Sequence, residues 1–230
     1  MRIGIIAAME EELRLLVEQL EDTKTSIHLG QTYYSGRLEK HELVLVQSGV
    51  GKVMSAMSVA VLVDRFQVEA IINTGSAGAV ADGIAIGDVV VADRLVYHDV
   101  DLSAFGYAYG QMSMQPLYFE ADKSFVETFQ KALAKSHQRS HIGLIATGDS
   151  FIAGEDKITV IKEAFPEVLA VEMEGAAIAQ AAHVAKRPFI VVRAMSDTAA
   201  HDANITFDTF IVEAGRASAH ALIAFLKDLA

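Results

Sequence analysis

The sequence predicts an α/β protein of three layers, a mixed but largely parallel twisted sheet with helices on both faces. Short β-branched runs alternate with longer stretches of helical periodicity along the chain. Most of the short runs are apolar at consecutive positions, the mark of strands buried on both faces. The filling is aliphatic. Hydrophobic residues make up 52% of the 230, aromatic residues only 7%, and tryptophan is absent, which suits helices packed closely over a buried sheet.

The elements follow in order. Ile3–Ala7 reads as a strand and Glu10–Leu20 as a helix whose first turn, Glu10-Glu11-Glu12, sets negative charge at its positive end. Leu43–Gln47 precedes a helix over Lys52–Arg65, and Ala70–Asn73 and Asp88–Val91 are the next strands. A helix over Lys123–Lys135 leads to Ile142–Ala146 and Val168–Val171. Helix Gly175–Lys186, strand Phe189–Ala194 and helix Phe207–Leu229 complete the chain. One stretch breaks the rhythm: His28–Tyr34 and Arg37–Gln47 flank Ser35-Gly36, which reads as a hairpin turn and makes the sheet mixed. Another, Tyr97–Phe119, is poor in helix and holds Phe105, Tyr107, Tyr109, Tyr118 and Phe119 among glycines; so long a loop in a compact domain points to a use. With three prolines and no Gly/Ser-rich run, residues 1–230 read as one domain without linker or repeat.

A net charge of −11 argues against an electrostatic grip on nucleic acid or an anionic membrane. The absence of cysteine excludes a disulfide framework, a thiolate nucleophile and a Cys-ligated metal, and fits a reducing compartment. Ile3–Ala8 is too short, and runs too directly into acidic residues, for a signal peptide, and no apolar run has the length of a membrane span. A soluble cytoplasmic protein is expected.

Ligands of α/β sheets collect at the carboxyl ends of strands. Those places hold Ala8-Met9-Glu10-Glu11-Glu12, Ser48-Gly49-Val50-Gly51-Lys52, Thr74-Gly75-Ser76-Ala77-Gly78, Thr147-Gly148-Asp149-Ser150-Phe151-Ile152, Glu172-Met173-Glu174-Gly175 and Arg193-Ala194-Met195-Ser196-Asp197. Small residues and carboxylates thus gather at one rim. Three familiar motifs fail there. In Gly49-Val50-Gly51-Lys52 the first glycine of a Walker loop falls at Val46 and its Ser/Thr at Val53. Gly75-Ser76-Ala77-Gly78 has Thr74 where a nucleophile elbow needs glycine. In His98-Asp99-Val100-Asp101 strand alternation sends His98 away from both aspartates, so no metal site is expected.

At these positions the chain resembles the 5′-methylthioadenosine/S-adenosylhomocysteine nucleosidases of the nucleoside phosphorylase/nucleosidase superfamily. Eight motifs carry the resemblance in order: Gly4–Glu12, Ser48–Lys52, Asn73–Gly78, Tyr97–Asp101, Ala104–Tyr107, Gly148–Ile152, Val171–Glu174 and Arg193–Asp197. Thr147 stands where serine often precedes Gly-Asp, and Gln111–Pro116 has its proline at 116; both departures are expected to lie apart from the chemistry.

The resemblance implies the phosphorylase/nucleosidase-like fold and hydrolysis of the N-glycosidic bond of 5′-methylthioadenosine, S-adenosylhomocysteine and 5′-deoxyadenosine, in methionine salvage and recycling of S-adenosylmethionine by-products. It needs no cofactor. It assigns Asp197 as the acid toward adenine N7, oriented by Ser196, and Glu12 as the base for water, with Ser76 and Arg193 near water and ribose. Spacing alone does not choose among Glu10, Glu11 and Glu12. Without the resemblance Arg193 reads as an ion-pair partner of Glu172 or Glu174. Glu174 is assigned to the ribose hydroxyls, Met173 to the sugar, Phe151 to stacking on adenine, the Ile152 backbone to the base edge, and Met9, Val50 and Phe207 to the walls of the thioether tail. Phe105 and Tyr107 are implied to reach the neighbouring site of a homodimer. The alternatives are a phosphorylase, which needs several converging cations where this chain has Glu10–Glu12; an aminodeoxyfutalosine hydrolase, which makes the same demands at C1′; and a storage relative, in which the three carboxylates are not needed.

Overall fold

The computed structural model describes residues 1–136, 138–199 and 203–229, with the side chains of 204 and 205 left aside. Strands β1 (Arg2–Ala7), β2 (Glu21–His28), β3 (Gln31–Leu38), β4 (His41–Gln47), β5 (Ala70–Ala79), β6 (Val89–Tyr97), β7 (Phe119–Glu120), β8 (Ser140–Thr147), β9 (Val168–Glu172) and β10 (Phe189–Asp197) form one sheet. Helices α1 (Glu10–Glu18), α2 (Lys52–Asp64), α3 (Lys123–Lys135), α4 (Glu155–Ala164), α5 (Gly175–Val184) and α6 (Ala203–Asp228) lie between the strands in sequence.

β1 shows why the sheet must be covered twice. Ile3, Ile5 and Ala7 pack in the layer of Leu13 and Leu16 from α1, Phe125 and Phe129 from α3, and Leu222 and Phe225 from α6. Ile6 faces the opposite layer, with Val59 and Leu62 of α2 and Ile178 of α5. Gly4 points the same way, and a Cβ there would lie 2.9 Å from a methyl of Leu62, so α2 rides close on the strand. Burial on both faces is the expected three-layer arrangement, and it is the reason these runs lack alternation.

The sheet is mixed. β1 pairs in parallel with β4 and β5, and β5 in parallel with β10. β10 also pairs antiparallel with β6, β6 and β9 each pair in parallel with β8, and β9 returns antiparallel to β5. Strands β5, β10, β6, β8 and β9 therefore bond round a closed circuit, with β1, β4, β3 and β2 extending from β5 as an open wing.

The expected turn at Ser35-Gly36 is not one. Both residues lie inside β3, and the chain reverses at Leu29-Gly30 and Glu39-Lys40, where Leu29, Gly30 and Glu39 take positive φ. Gly36 is small for another reason: a Cβ there would sit 2.7 Å from the Glu21 carbonyl oxygen across the strand pair. Strand β2 is polar and exposed, and so gave no apolar signal. Helix α4 also escaped the sequence reading.

α6 is long and apolar enough, by length and composition, to span a membrane over Thr206–Asp228. Glu213 and Arg216 interrupt that stretch, and half of it is buried in the protein, where it covers β5 and β10 as a core helix does.

Candidate active site

The register of β5 on β10 builds the site. Gly75 lies opposite Arg193, Ser76 opposite Ala194, and Gly78 opposite Asp197. Between Met195 and Asp197 the pairing slips at a bulge, a device that re-aims a side chain at a strand end. Two of the glycines in Thr74–Gly78 serve close approach. A Cβ on Gly75, at φ +154°, would lie 2.7 Å from Arg193 Nη1 and 2.8 Å from Glu12 Oε1. One on Gly78 would lie 2.8 Å from Asp197 Oδ1.

Over these strand ends opens a cavity of about 260 Å³. Glu12, Ser76, Glu174, Arg193, Ser196 and Asp197 line it, and so do Met9, Val50, Phe151, Ile152, Met173 and Phe207. All twelve are residues expected from the sequence. Phe105 and Tyr107 are not among its walls: Phe105, in a 3-10 turn over Ser103–Phe105, is 79% exposed, and the Tyr107 hydroxyl bonds to Ser113 Oγ at 3.0 Å. The Phe151 and Phe207 rings, both in its wall, meet edge to face at 5.7 Å.

Glu12 is buried and accepts four hydrogen bonds. Oε2 takes the Ala8 and Met9 N–H groups at 3.0 and 3.1 Å, capping its own helix. Oε1 takes the Ser76 N–H and hydroxyl, both at 2.9 Å. These four bonds fix the carboxylate group in one orientation at the cavity edge. The structure thus separates Glu12 from Glu10, which pairs outward with Arg14.

Asp197 accepts from Ser196 Oγ at 3.0 Å and from the Ala199 N–H at 2.7 Å. Burial pushes its pKa above the ordinary carboxyl value, against the pull of those two donors.

Arg193, 1% exposed, ties the rest together. Its Nη2 donates to Asn73 Oδ1 at 2.6 Å, to Glu172 Oε2, and to Glu174 Oε2 at 3.3 Å, while Nη1 donates to the Ser76 carbonyl at 3.2 Å. Burial alone would lower its pKa, but Glu172, Glu174 and Glu12 more than offset that and hold it above the ordinary value. The two ion-pair partners open to Arg193 from sequence are therefore both used. Burial lifts Glu174 from 4.5 to about 7, opposed by Arg193 and reinforced by Glu172. Glu174 Oε1 accepts the Gly51 N–H at 2.8 Å.

Glu172 and Asn73 were the polar residues underweighted by sequence reading. Glu172 lines the cavity and accepts from the Glu174 and Gly175 N–H groups at 2.9 and 2.7 Å. Asn73, a fully buried amide inside an apolar strand, was its own signal. The Thr147 hydroxyl donates to Glu172 Oε1 and accepts the Ala176 N–H, behind the cavity wall. Among the described residues no group of three His, Cys, Asp or Glu side chains has the arrangement to hold a metal ion.

The family model for the phosphorylase superfamily matches residues 2–227. The 5′-methylthioadenosine/S-adenosylhomocysteine nucleosidase of Shewanella loihica is 44% identical over 230 residues, the whole of both chains. The chain belongs to this nucleosidase family. Within the family, the Streptococcus pyogenes S-adenosylhomocysteine nucleosidase in complex with 5-methylthiotubericidin is 69% identical, with a TM-score of 0.99 over 100% of this chain and 98% of that one. The Streptococcus pneumoniae nucleosidase with the transition-state inhibitor MT-ImmA is 67% identical, at a TM-score of 0.98 over all of both chains.

Because Glu174 is lifted by burial, ionising it opposes folding. Its favourable contribution is complete below pH 4.5 and is lost as the pH rises toward 7. Glu174→Gln removes that dependence. The melting temperature of the variant, relative to the unaltered protein, is expected to climb between pH 4.5 and 8; a gap that stays constant would contradict the assignment.

Proposed function

We propose that this protein hydrolyses the N-glycosidic bond of 5′-methylthioadenosine and S-adenosylhomocysteine, releasing adenine and the 5′-thio-substituted ribose. The observation that carries the reading is the meeting of Glu12, Glu174 and Asp197 around one cavity with their environments set apart. Divergent carboxyl environments are how one fold supplies both an acid and a base near neutral pH.

Breaking C1′–N9 leaves positive charge on the ribose and negative charge on the purine. Asp197, which burial shifts toward its protonated form, gives a proton to adenine N7 as the bond lengthens. Glu12 takes a proton from the water whose oxygen bonds to C1′, and Ser76 keeps the carboxylate turned toward the cavity. Glu174 accepts the ribose hydroxyls, and its charge is felt most when the sugar becomes cationic, so the contact favours the transition state over the substrate. Phe151 stacks on the base, the Ile152 backbone meets its edge, and Met173 lies under the sugar. Met9, Val50 and Phe207 line the side left for the apolar 5′ tail.

Water is the nucleophile on electrostatic grounds. Among the described residues, Glu12, Glu172, Glu174 and Asp197 line the cavity against one cation, Arg193, whose terminal nitrogens are already engaged. A phosphate would meet net negative charge. Aminodeoxyfutalosine would meet the same groups at C1′ but offer a different 5′ substituent to Met9, Val50 and Phe207. The thio-substituted ligands fit the reading better, being those of relatives at 67% and 69% identity.

The whole site falls within one domain over residues 1–230: β1 near the start and β10 near the end flank β5 directly. The acting form is a cytoplasmic homodimer, in which the exposed Phe105 and the Tyr107 loop complete the neighbour's site. Val50, Val53 and Met54, exposed at the start of α2, give that partner an apolar seat.

Asp197→Asn is expected to slow adenine release from methylthioadenosine by about 10²–10⁴-fold. An unreactive analogue should still bind with nearly unchanged affinity, and phosphate should make no difference. Near-normal turnover by this variant, or a strict need for phosphate, would sink the reading. A fully active species of one-chain mass in sedimentation would rule out the dimer, and activity recovered outside the cytoplasm on fractionation would rule out the compartment.

A further inference from the structure

Three loops, one with a Walker-like sequence that fails and one with a His-Asp sequence that forms no metal site, meet in one cluster beside the cavity. They follow β4 (Ser48–Lys52), β6 (His98–Asp101) and β8 (Gly148–Ile152). Lys52 N–H, in the first turn of α2, donates to Asp149 Oδ1 at 2.8 Å. Asp149 N–H donates to Asp99 Oδ2 at 2.8 Å, and Lys52 Nζ donates to the same oxygen at 2.7 Å. The three residues close a ring. Gly51, which caps α2 with φ +98°, has no side chain of its own to do so, and a Cβ there would lie 3.1 Å from Asp149 Oδ1. Below the ring His98 is buried against Gly148, where any Cβ would run into its imidazole.

Lys52, Asp99 and Asp149 are not among the residues that line the cavity, yet the ring lies between two that do. The N–H groups of Gly51 and Lys52 are neighbours on one helix start: the first donates to Glu174 and the second to Asp149. Asp149 is two residues before Phe151. We propose that Asp149 and Asp99, with Lys52, are positioning residues: a clasp that fixes the spacing between the ribose carboxylate Glu174 and the adenine-stacking Phe151. This rests on the functional reading above. The clasp makes the helix start rigid where it must donate to Glu174 and ties the base loop to the same point. It gives the Gly-x-Gly-Lys sequence a use without phosphate and the His-Asp sequence a use without metal.

Glu174 is faced by Arg193 from β10, Glu172 from β9, Glu12 from α1 and the Gly51 N–H from α2. Of these, the clasp controls the last, a donor that favours the ionised carboxylate. The test compares Asp149→Ala, Asp99→Ala and Asp149→Asn in methylthioadenosine hydrolysis across pH, with the Glu174 carboxyl followed by carbon-13 NMR. Asp149→Ala is expected to lose about tenfold or more in kcat/KM, chiefly through KM. Its acid limb and the Glu174 titration should both move to higher pH. Asp99→Ala should move both in the same direction, and Asp149→Asn, which keeps an oxygen for the Lys52 N–H, should restore them. Unchanged kcat/KM in Asp149→Ala, or a loss matching its unfolded fraction with the Glu174 titration unmoved, would overturn the clasp. Absence of adenine release by the unaltered protein would overturn the functional reading alone, since the Glu174 titration reports on the clasp without turnover.

Discussion

The buried guanidinium of Arg193 is the interaction on which the site depends. Glu12, Glu172, Glu174 and Asp197 all line one small cavity, and carboxylates brought so close in a poorly solvated place repel one another. Arg193 answers two of them directly, Glu172 and Glu174, and fixes Ser76 through its carbonyl. Asn73 and Gly75 belong to the same arrangement: one gives the guanidinium an acceptor, the other leaves the space through which it passes. The β5–β10 pairing thus carries both Arg193 and Asp197, and the fold's closed circuit keeps their spacing.

The carboxyl groups differ in their surroundings. Glu12 is satisfied by four donors, Glu174 is lifted by burial to about 7 under opposing influences, and Asp197 is raised by burial with two donors holding it in check. Each difference traces to backbone placement: a helix start for Glu12, the start of α2 for Glu174 and a strand bulge for Asp197. Three chemically similar side chains acquire three environments because the chain presents them to different neighbours.

Much of the fold was legible because its parallel strands are buried on both faces and so appear as continuous apolar runs. β2 was not, since its residues face solvent and carry no such signal. Ser35-Gly36 misled because glycine serves close approach as well as turns, and only the Glu21 carbonyl beneath Gly36 distinguishes the two. In the site, the clustering of carboxylates and small residues at strand ends was visible from sequence. The choice of Glu12 over its neighbours was not, because it depends on Ser76, 64 positions away. The tie of Thr147 to Glu172 is hidden for the same reason, since the linear order does not reveal that partner.

Replacing Arg193 by Met, an apolar chain of similar reach, tests this electrostatic account most directly. The stability difference from the unaltered protein would be measured by urea unfolding at pH 8 and at pH 5. Removing one partner of a buried ion pair costs about 3–5 kcal/mol when the other stays charged. The account predicts a loss of that order at pH 8 and a smaller one at pH 5, where the abandoned carboxyl groups take up protons. An equally stable variant at pH 8, or a loss that ignores pH, would contradict it.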